Sequence, residues 1–276
     1  QPGEFAKIAL AIFFSAYMVE KRDVLAISGV GRFGVAVPDI RHLGTILLAW
    51  GVSLIVMVAE KDLGSSLLFF TLFIAMLWIS TGKTSYLIMS GTLFSGGALL
   101  AWSQFSHVQQ RVDIWLRPFD DPTGDGYQIV QSSFAMAEGG LTGTGLGVGN
   151  PENIPEVETD FILAAIGEEL GLVGATAVLV LFLLLVGAGL KVSLTSTRPF
   201  EKLLSAGLTT LLGFQAFIII AGVVRLLPLT GVTLPFVSYG GSSLLANWIL
   251  LALLLRISDE ARSGETGENP TSMGSR

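Results

Sequence analysis

Carboxylates crowd the stretch 155–174, PEVETDFILAAIGEELGLVG, which passes from a polar segment straight into a long apolar run with Asp160 at the junction. Moving a carboxylate toward hydrocarbon costs about 2.5 to 3.5 kcal/mol on membrane-insertion scales, so a charge kept there needs water, a partner or a task. A carboxylate at that depth is a functional candidate by default. The competing reading is local: Thr159 or Asp160 caps the helix that follows, giving its first amides an acceptor and its positive dipole end a negative charge. Glu168 and Glu169 lie further along the same run. At about 100° per residue, Glu168 falls roughly 80° round the helix from Asp160 and Glu169 about opposite, both some 12 to 14 Å deeper. That separation excludes a two-carboxylate glycosidase pair with Asp160. Their depth assigns Glu168 and Glu169 to buried hydrogen bonds that organise the surrounding helices.

A second pair stands near the start of the chain, in QPGEFAK, where Glu4 and Lys7 are three residues apart and share a helix face. They read either as part of a site or as an ion pair snorkelling at a membrane interface. Other patterns carry less. The glycine run 139–150, GGLTGTGLGVGN, lacks the G-x-G-x-x-G register and a preceding strand, so it reads as a tight irregular loop or a backbone nest and not as a dinucleotide site. Asp120, Asp121, Asp125 and Gly126 depart from calcium-loop spacing and read as an Asp-Pro-Thr-Gly turn. With no cysteine, and with His42 and His107 in different segments, neither a disulfide framework nor a thiolate or histidine metal site is expected.

The elements that must position these residues are membrane helices. Hydrophobic residues make up 51% of the chain and charged residues 14%, and mean hydropathy is +0.68, which excludes a soluble globular domain. Apolar runs closed by polar residues predict an all-α, polytopic helical bundle with spans at 1–17, 43–58, 63–79, 86–102, 161–190, 203–224 and 242–257. Between the fourth and fifth spans lies a long loop, 103–159, in which 127–137 has helical spacing with Ile129, Val130, Phe134 and Ala137 on one side. Between the last two spans, RLLPLTGVTLPFVSYGGSS holds Pro228, Pro235, Gly240 and Gly241, and predicts irregular backbone re-entering the protein, tolerated only where it is buried or lines a wet cavity. Gln215 and Asn247 lie within spans and read as interhelical hydrogen-bonding groups or as the lining of a transport path. The membrane domain is expected to cover 1–257, and the polar residues 258–276 to form a disordered cytoplasmic tail. The opening without Met or a signal-like n-region reads as the C-terminal part of a longer protein.

Cations set the orientation. Lys21, Arg22, Arg32, Arg41, Lys83, Lys191, Arg198, Lys202, Arg256, Arg262 and Arg276 fall on one side of these spans, against Lys61, Arg111, Arg117 and Arg225 on the other. The positive-inside bias makes the richer side cytoplasmic, so the long loop, Asp160 and the SYGG segment face outside. The net charge of -6 reflects that acidic outer face, and no basic patch suggests nucleic acid.

Taken together and in order, QPGEFAK, Asp62-Leu63-Gly64-Ser65, Tyr127-Gln128 with Gly143-x-Gly145-x-Gly147, Glu158-Thr159-Asp160-Phe161-Ile162 with Gly167-Glu168-Glu169-x-Gly171, and Pro235-x-Val237-Ser238-Tyr239-Gly240-Gly241-Ser242 resemble the signatures of the SEDS family (shape, elongation, division and sporulation), that of RodA, FtsW and SpoVE, with an overall cast nearer RodA. Gly3 departs from the serine common at that position. The resemblance implies a ten-helix peptidoglycan glycosyltransferase of the bacterial plasma membrane, three spans of which would precede Gln1. It also implies that lipid II, an undecaprenyl diphosphate disaccharide, is polymerised alongside a class B penicillin-binding protein. The family's essential carboxylate matches Asp160, and its membrane-helix pair matches Glu4 and Lys7. On this reading Asp160 is the base for the acceptor GlcNAc 4-hydroxyl, with inversion at the donor carbon. Lys7 leads the candidates for stabilising the departing diphosphate, followed by Arg111, Arg117 and Arg225, and a divalent cation is a further source of that charge. Ser238, Tyr239, Gly240 and Gly241 would support the site. Two other function classes fit the same sequence: a lipid II flippase, and a membrane scaffold for the penicillin-binding protein without chemistry of its own.

Overall fold

The computed structural model describes residues 1–26, 48, 51 and 63–266. Its elements in chain order are α1 (Pro2–Ala26), α2 (Leu63–Thr81), α3 (Thr84–Gln104), α4 (Ser106–Leu116), a 3-10 turn (Pro118–Asp120), α5 (Tyr127–Gly139), a second 3-10 turn (Pro151–Asn153), α6 (Ile162–Thr195), α7 (Pro199–Val223) and α8 (Gly241–Thr266). Among the described residues six helices are long and apolar enough to cross a membrane: α1, α2, α3, α6, α7 and α8. Of the expected span 43–58, only 48 and 51 are described, and both are helical. The helix α8 continues through 258–266, where polar composition suggested disorder. Residues 267–276 of that expected tail lie outside the described residues.

The centre of the bundle is α7, which is apolar on nearly every side and whose membrane window is 72% buried, against 17% for α6. Pro199 at its start and Glu201 in its first turn suit a helix N-terminus. At its other end the Arg225 and Leu226 amides return to the carbonyls of Gly222 and Ala221, so Arg225 stops the helix in the left-handed conformation (φ 61°) usually given to glycine. One half of α7, with Leu204, Leu208 and Leu212, packs against Ile8 and Met18 of α1, Phe73 and Met76 of α2 and Leu250 of α8. The other half, with Ala216, Ile219 and Val223, meets a second core of Ile129, Phe161, Leu163, Val232 and Leu234. The second core fixes the segments outside the spans to the end of the bundle.

The expected fifth span is broken. Gly171 has φ 67° and ψ -165°, a conformation open in practice only to glycine, so 162–170 and 172–195 are separate helical pieces. Two helical hydrogen bonds are lost there, those from the Leu172 and Val173 amides to the carbonyls of Glu168 and Glu169. The glycine loop replaces both: Leu172 and Val173 donate to the carbonyls of Gly140 and Leu141 at 2.9 and 3.2 Å, while Glu168 and Glu169 carbonyls accept from the Thr144 and Gly145 amides at 2.9 and 3.0 Å. Side chains would prevent this exchange, since a Cβ at Gly143 or Gly171 would strike the opposing backbone. The carboxylates add two more links, Glu168 Oε1 accepting from the Asn150 amide at 2.7 Å and Glu169 Oε1 from the Gly147 amide at 3.1 Å. The two acidic residues thus organise the loop and not, as depth suggested, the contacts between helices.

The helix α5 also differs in rotation from the sequence pattern. Its buried face is Ile129, Val130, Ser132, Ala135 and Gly139, while Phe134 is 54% exposed and Ala137 is exposed. The close approach of Gly139 to the Gly167 backbone sets this rotation, because the smallest residues of both helices must meet.

Candidate functional site

Asp160 is half-buried in the turn before α6. The N-cap position of α6 is taken by Phe161, one residue after Asp160, with no side-chain cap hydrogen bond. The peptide joining Thr159 to Asp160 is held at both poles. The Asp160 amide donates to the Glu156 carbonyl at 3.1 Å, and the Thr159 carbonyl accepts from the Ser238 hydroxyl at 2.5 Å. Ser238 is itself oriented by the Leu234 amide, which donates to its oxygen at 2.8 Å, and the Tyr239 amide donates to the Glu158 carbonyl at 2.8 Å. The SYGG segment is therefore a clasp on the Asp160 turn. Tyr239 contributes its backbone and leaves its ring 73% exposed. Gly240 and Gly241 lead into α8, the Gly240 carbonyl accepting from the Leu244 amide.

Asp160 lines a cavity of about 420 Å³ with His107, Gln110 and Arg111 of α4, Asp125 of the turn before α5, Gln128 of its first turn, and Leu229 and Gly231 of the re-entrant segment. The Arg111 guanidinium donates to the Leu229 carbonyl at 2.7 Å. A side chain grown from Gly231 would meet Asp160 Oδ2 at 3.8 Å and Arg111 Nη2 at 3.9 Å, so carboxylate and guanidinium stand over the same point. Gln110 donates to Asp125 Oδ2 at 2.5 Å, tying α4 to the turn before α5. In that segment the Asp121 carboxylate accepts from the amides of Gly124 and Asp125, holding the Asp-Pro-Thr-Gly turn closed. Among the described residues no group of three or more histidine, aspartate or glutamate side chains is placed to hold a metal ion.

Lys7 is elsewhere. It is 2% exposed inside the bundle, with its ammonium 2.6 Å from Glu4 Oε2 and donating to Gln215 Oε1 at 2.7 Å. An ammonium can only donate, so it fixes which way the Gln215 amide points, and Gln215 Nε2 donates to the Thr233 carbonyl at 2.7 Å. Thr233 continues to Ser243 of α8 at 2.6 Å, and Asn247 Nδ2 donates to Ser243. Both ends of the Gln215 amide are thus used within the bundle, and the Glu4–Lys7 pair braces the re-entrant segment from below instead of lining the cavity. The remaining cations separate as well. Arg117 is exposed over a neighbouring acidic groove of about 640 Å³, shared with Asp113, Asp120 and Asp121. Arg225 lies over the Phe119 ring at 5.8 Å, and its carbonyl accepts from Trp115 Nε1 at 3.0 Å.

Sequence reasoning missed His107, Gln110, Asp125 and Gln128 as cavity residues. The signal for the first two was present: His107, Gln110, Arg111 and Ile114 follow the i, i+3, i+4, i+7 spacing of one helix face, and all four line the cavity. Other parts of the chain close on the same end of the bundle, for Gly64 packs so tightly that a Cβ would collide with Val232 and press on Thr230.

The sequence profile of the cell cycle proteins FtsW, RodA and SpoVE matches residues 1–263. Mycobacterium tuberculosis peptidoglycan glycosyltransferase RodA is 52% identical over 262 residues, 95% of this chain and 56% of that protein. The probable peptidoglycan glycosyltransferase FtsW of Geobacter sulfurreducens is 37% identical over 260 residues, 94% of this chain and 67% of that protein. The chain spans about half the length of the RodA relatives it matches. Among solved structures, a chain from a study of polymerization and crosslinking by a peptidoglycan synthase complex superposes with a TM-score of 0.70 at 24% identity, covering 95% of this chain and 70% of that one. The Thermus thermophilus rod shape determining protein RodA gives a TM-score of 0.56 at 23% identity, covering 95% and 66%. These two likenesses establish the fold, and the profile match and sequence identities establish descent: the chain belongs to the FtsW, RodA and SpoVE family of cell cycle proteins, on its RodA side.

Proposed function

We propose that this chain carries the catalytic centre of a peptidoglycan glycosyltransferase that polymerises lipid II. The observation that carries the reading is the convergence of Asp160 and Arg111 on one cavity beside the re-entrant segment. Asp160 takes the proton of the acceptor GlcNAc 4-hydroxyl as its oxygen bonds to the anomeric carbon of the donor. The bond from that carbon to the diphosphate breaks with inversion, the polyprenyl diphosphate leaves with the bonding electrons, and Arg111 stabilises its charge. Arg111 takes this role from Lys7, whose ammonium is engaged inside the bundle. The double anchoring of the Thr159–Asp160 peptide supports the base role, because a base works best when its position is fixed before substrate arrives. The bias of cations along the sequence supports a cavity on the extracytoplasmic side and a cytoplasmic C-terminus. A class B penicillin-binding protein is the proposed partner, supported by the structural likeness to a complex that joins polymerization with crosslinking.

The test is glycan synthesis from lipid II by the full-length protein with its partner in detergent. Asp160→Asn abolishes polymer while leaving the protein folded and the complex intact. Undiminished polymer from the variant removes Asp160 from the base role, and lipid II crossing vesicles without any polymer would favour a flippase.

A further inference from the structure

Among the described residues that line the Asp160 cavity, His107 is the one whose buried polar atom is left over. Nε2 has no hydrogen-bond partner among the described residues, and the residue lines the cavity shared by Asp160 and Arg111. A buried nitrogen left without a partner is costly, so a polar cavity holding one is shaped for a ligand that supplies the missing contact. The position of His107 says which part of the ligand. It precedes Arg111 by one helical turn, so both side chains rise from the same face of α4. His107 also occupies the first turn, where the helix dipole favours negative charge. Asp160 approaches from the turn before α6, on a different element. The other acid facing His107, Asp125, is engaged by Gln110, and the imidazole is backed by the Phe105 ring at 5.6 Å.

We propose that His107 and Arg111 form a two-point clamp for the diphosphate of the substrate, the imidazole Nε2–H donating to one phosphoryl oxygen while the guanidinium holds the other phosphate. The inference rests on the polymerase reading and deepens it by assigning the leaving group its own subsite, apart from the hydroxyl that Asp160 deprotonates. His107 is then a catalytic residue in the strict sense, in contact with the departing group.

The clamp predicts discrimination between one phosphate and two. The probes are farnesyl diphosphate and farnesyl monophosphate, titrated onto the purified full-length protein and onto its H107F and H107Q variants. The wild type binds the diphosphate in preference, H107F loses about tenfold of that preference, and H107Q, whose amide keeps a donor, retains most of it. The ratio of the two affinities is read within each variant, so partial loss of folded protein does not change it. An unchanged ratio in both variants overturns the clamp while leaving Asp160 and the polymerase reading standing. No binding of the diphosphate by the wild type would instead remove the substrate reading, and the clamp with it.

Discussion

Two polar regions lie within one bundle and do opposite things with charge. The Glu4–Lys7–Gln215 chain is closed: its ammonium is 2% exposed, and its donors end on a carboxylate, a side-chain amide and the Thr233 carbonyl. The Asp160 region is open: a half-buried carboxylate, a guanidinium that also donates to the Leu229 carbonyl, and an imidazole nitrogen without a partner among the described residues look into about 420 Å³ of space. Cost alone does not distinguish them, since both place charge where charge is expensive. The difference lies in where the donors and acceptors point. The closed network turns its donors onto groups within the bundle, and the open one gathers polar groups around a space large enough for a ligand.

The contrast breaks first at Asp160. Asp160→Asn should lower polymerisation from lipid II at least about a hundredfold, the scale of a lost general base, with an unchanged melting temperature. A parallel fall in stability would make the open region structural too. Lys7→Met should do the reverse, lowering stability by about 3 to 5 kcal/mol because Glu4 is left buried without its counter-ion. Adding Glu4→Gln should recover most of that loss in thermal unfolding, since the uncompensated charge is then gone. Gly171→Ala should cost about 1 to 3 kcal/mol for backbone conformation alone, and the blocked loop exchange should appear as faster amide exchange at Thr144 and Gly145.

Ser238→Ala sharpens the contrast further, because its hydroxyl joins the re-entrant segment to the Asp160 turn. Turnover should fall about tenfold, the worth of one buried hydrogen bond, with little change in KM, since the base is displaced and not removed. Arg225→Gly should have the smallest effect. Relief of its left-handed backbone and loss of its stacking on Phe119 oppose each other, so stability should shift by less than about 1 kcal/mol and polymerisation should be unchanged.

Much of the architecture was legible because long apolar runs leave the backbone no alternative to helix in lipid. The re-entrant segment was legible for the same reason in reverse, since Pro228 and Pro235 forbid a continuous helix. The break at Gly171 was not, because hydropathy continues unchanged across it and the replacement hydrogen bonds come from a loop read separately. Lys7 was readable as a paired charge, but its second partner, Gln215, lies 208 residues away, and no local spacing shows whether an ammonium faces a cavity or an amide. His107 was passed over because it was weighed alone, as a metal ligand without a second histidine nearby, and not as part of the helix face it shares with Gln110, Arg111 and Ile114.

The exchange between the glycine loop and the start of α6 bears on how this span is completed. A long apolar helix can ordinarily partition into lipid alone, with every amide satisfied by its own turn. Here the amides of Leu172 and Val173 are capped by residues that come earlier in the chain, at Gly140 and Leu141. This end of the span therefore completes its hydrogen bonds only when the loop is folded against it. A side chain at Gly143, which would strike the Glu169 carbonyl, would loosen the end of α6 together with the loop.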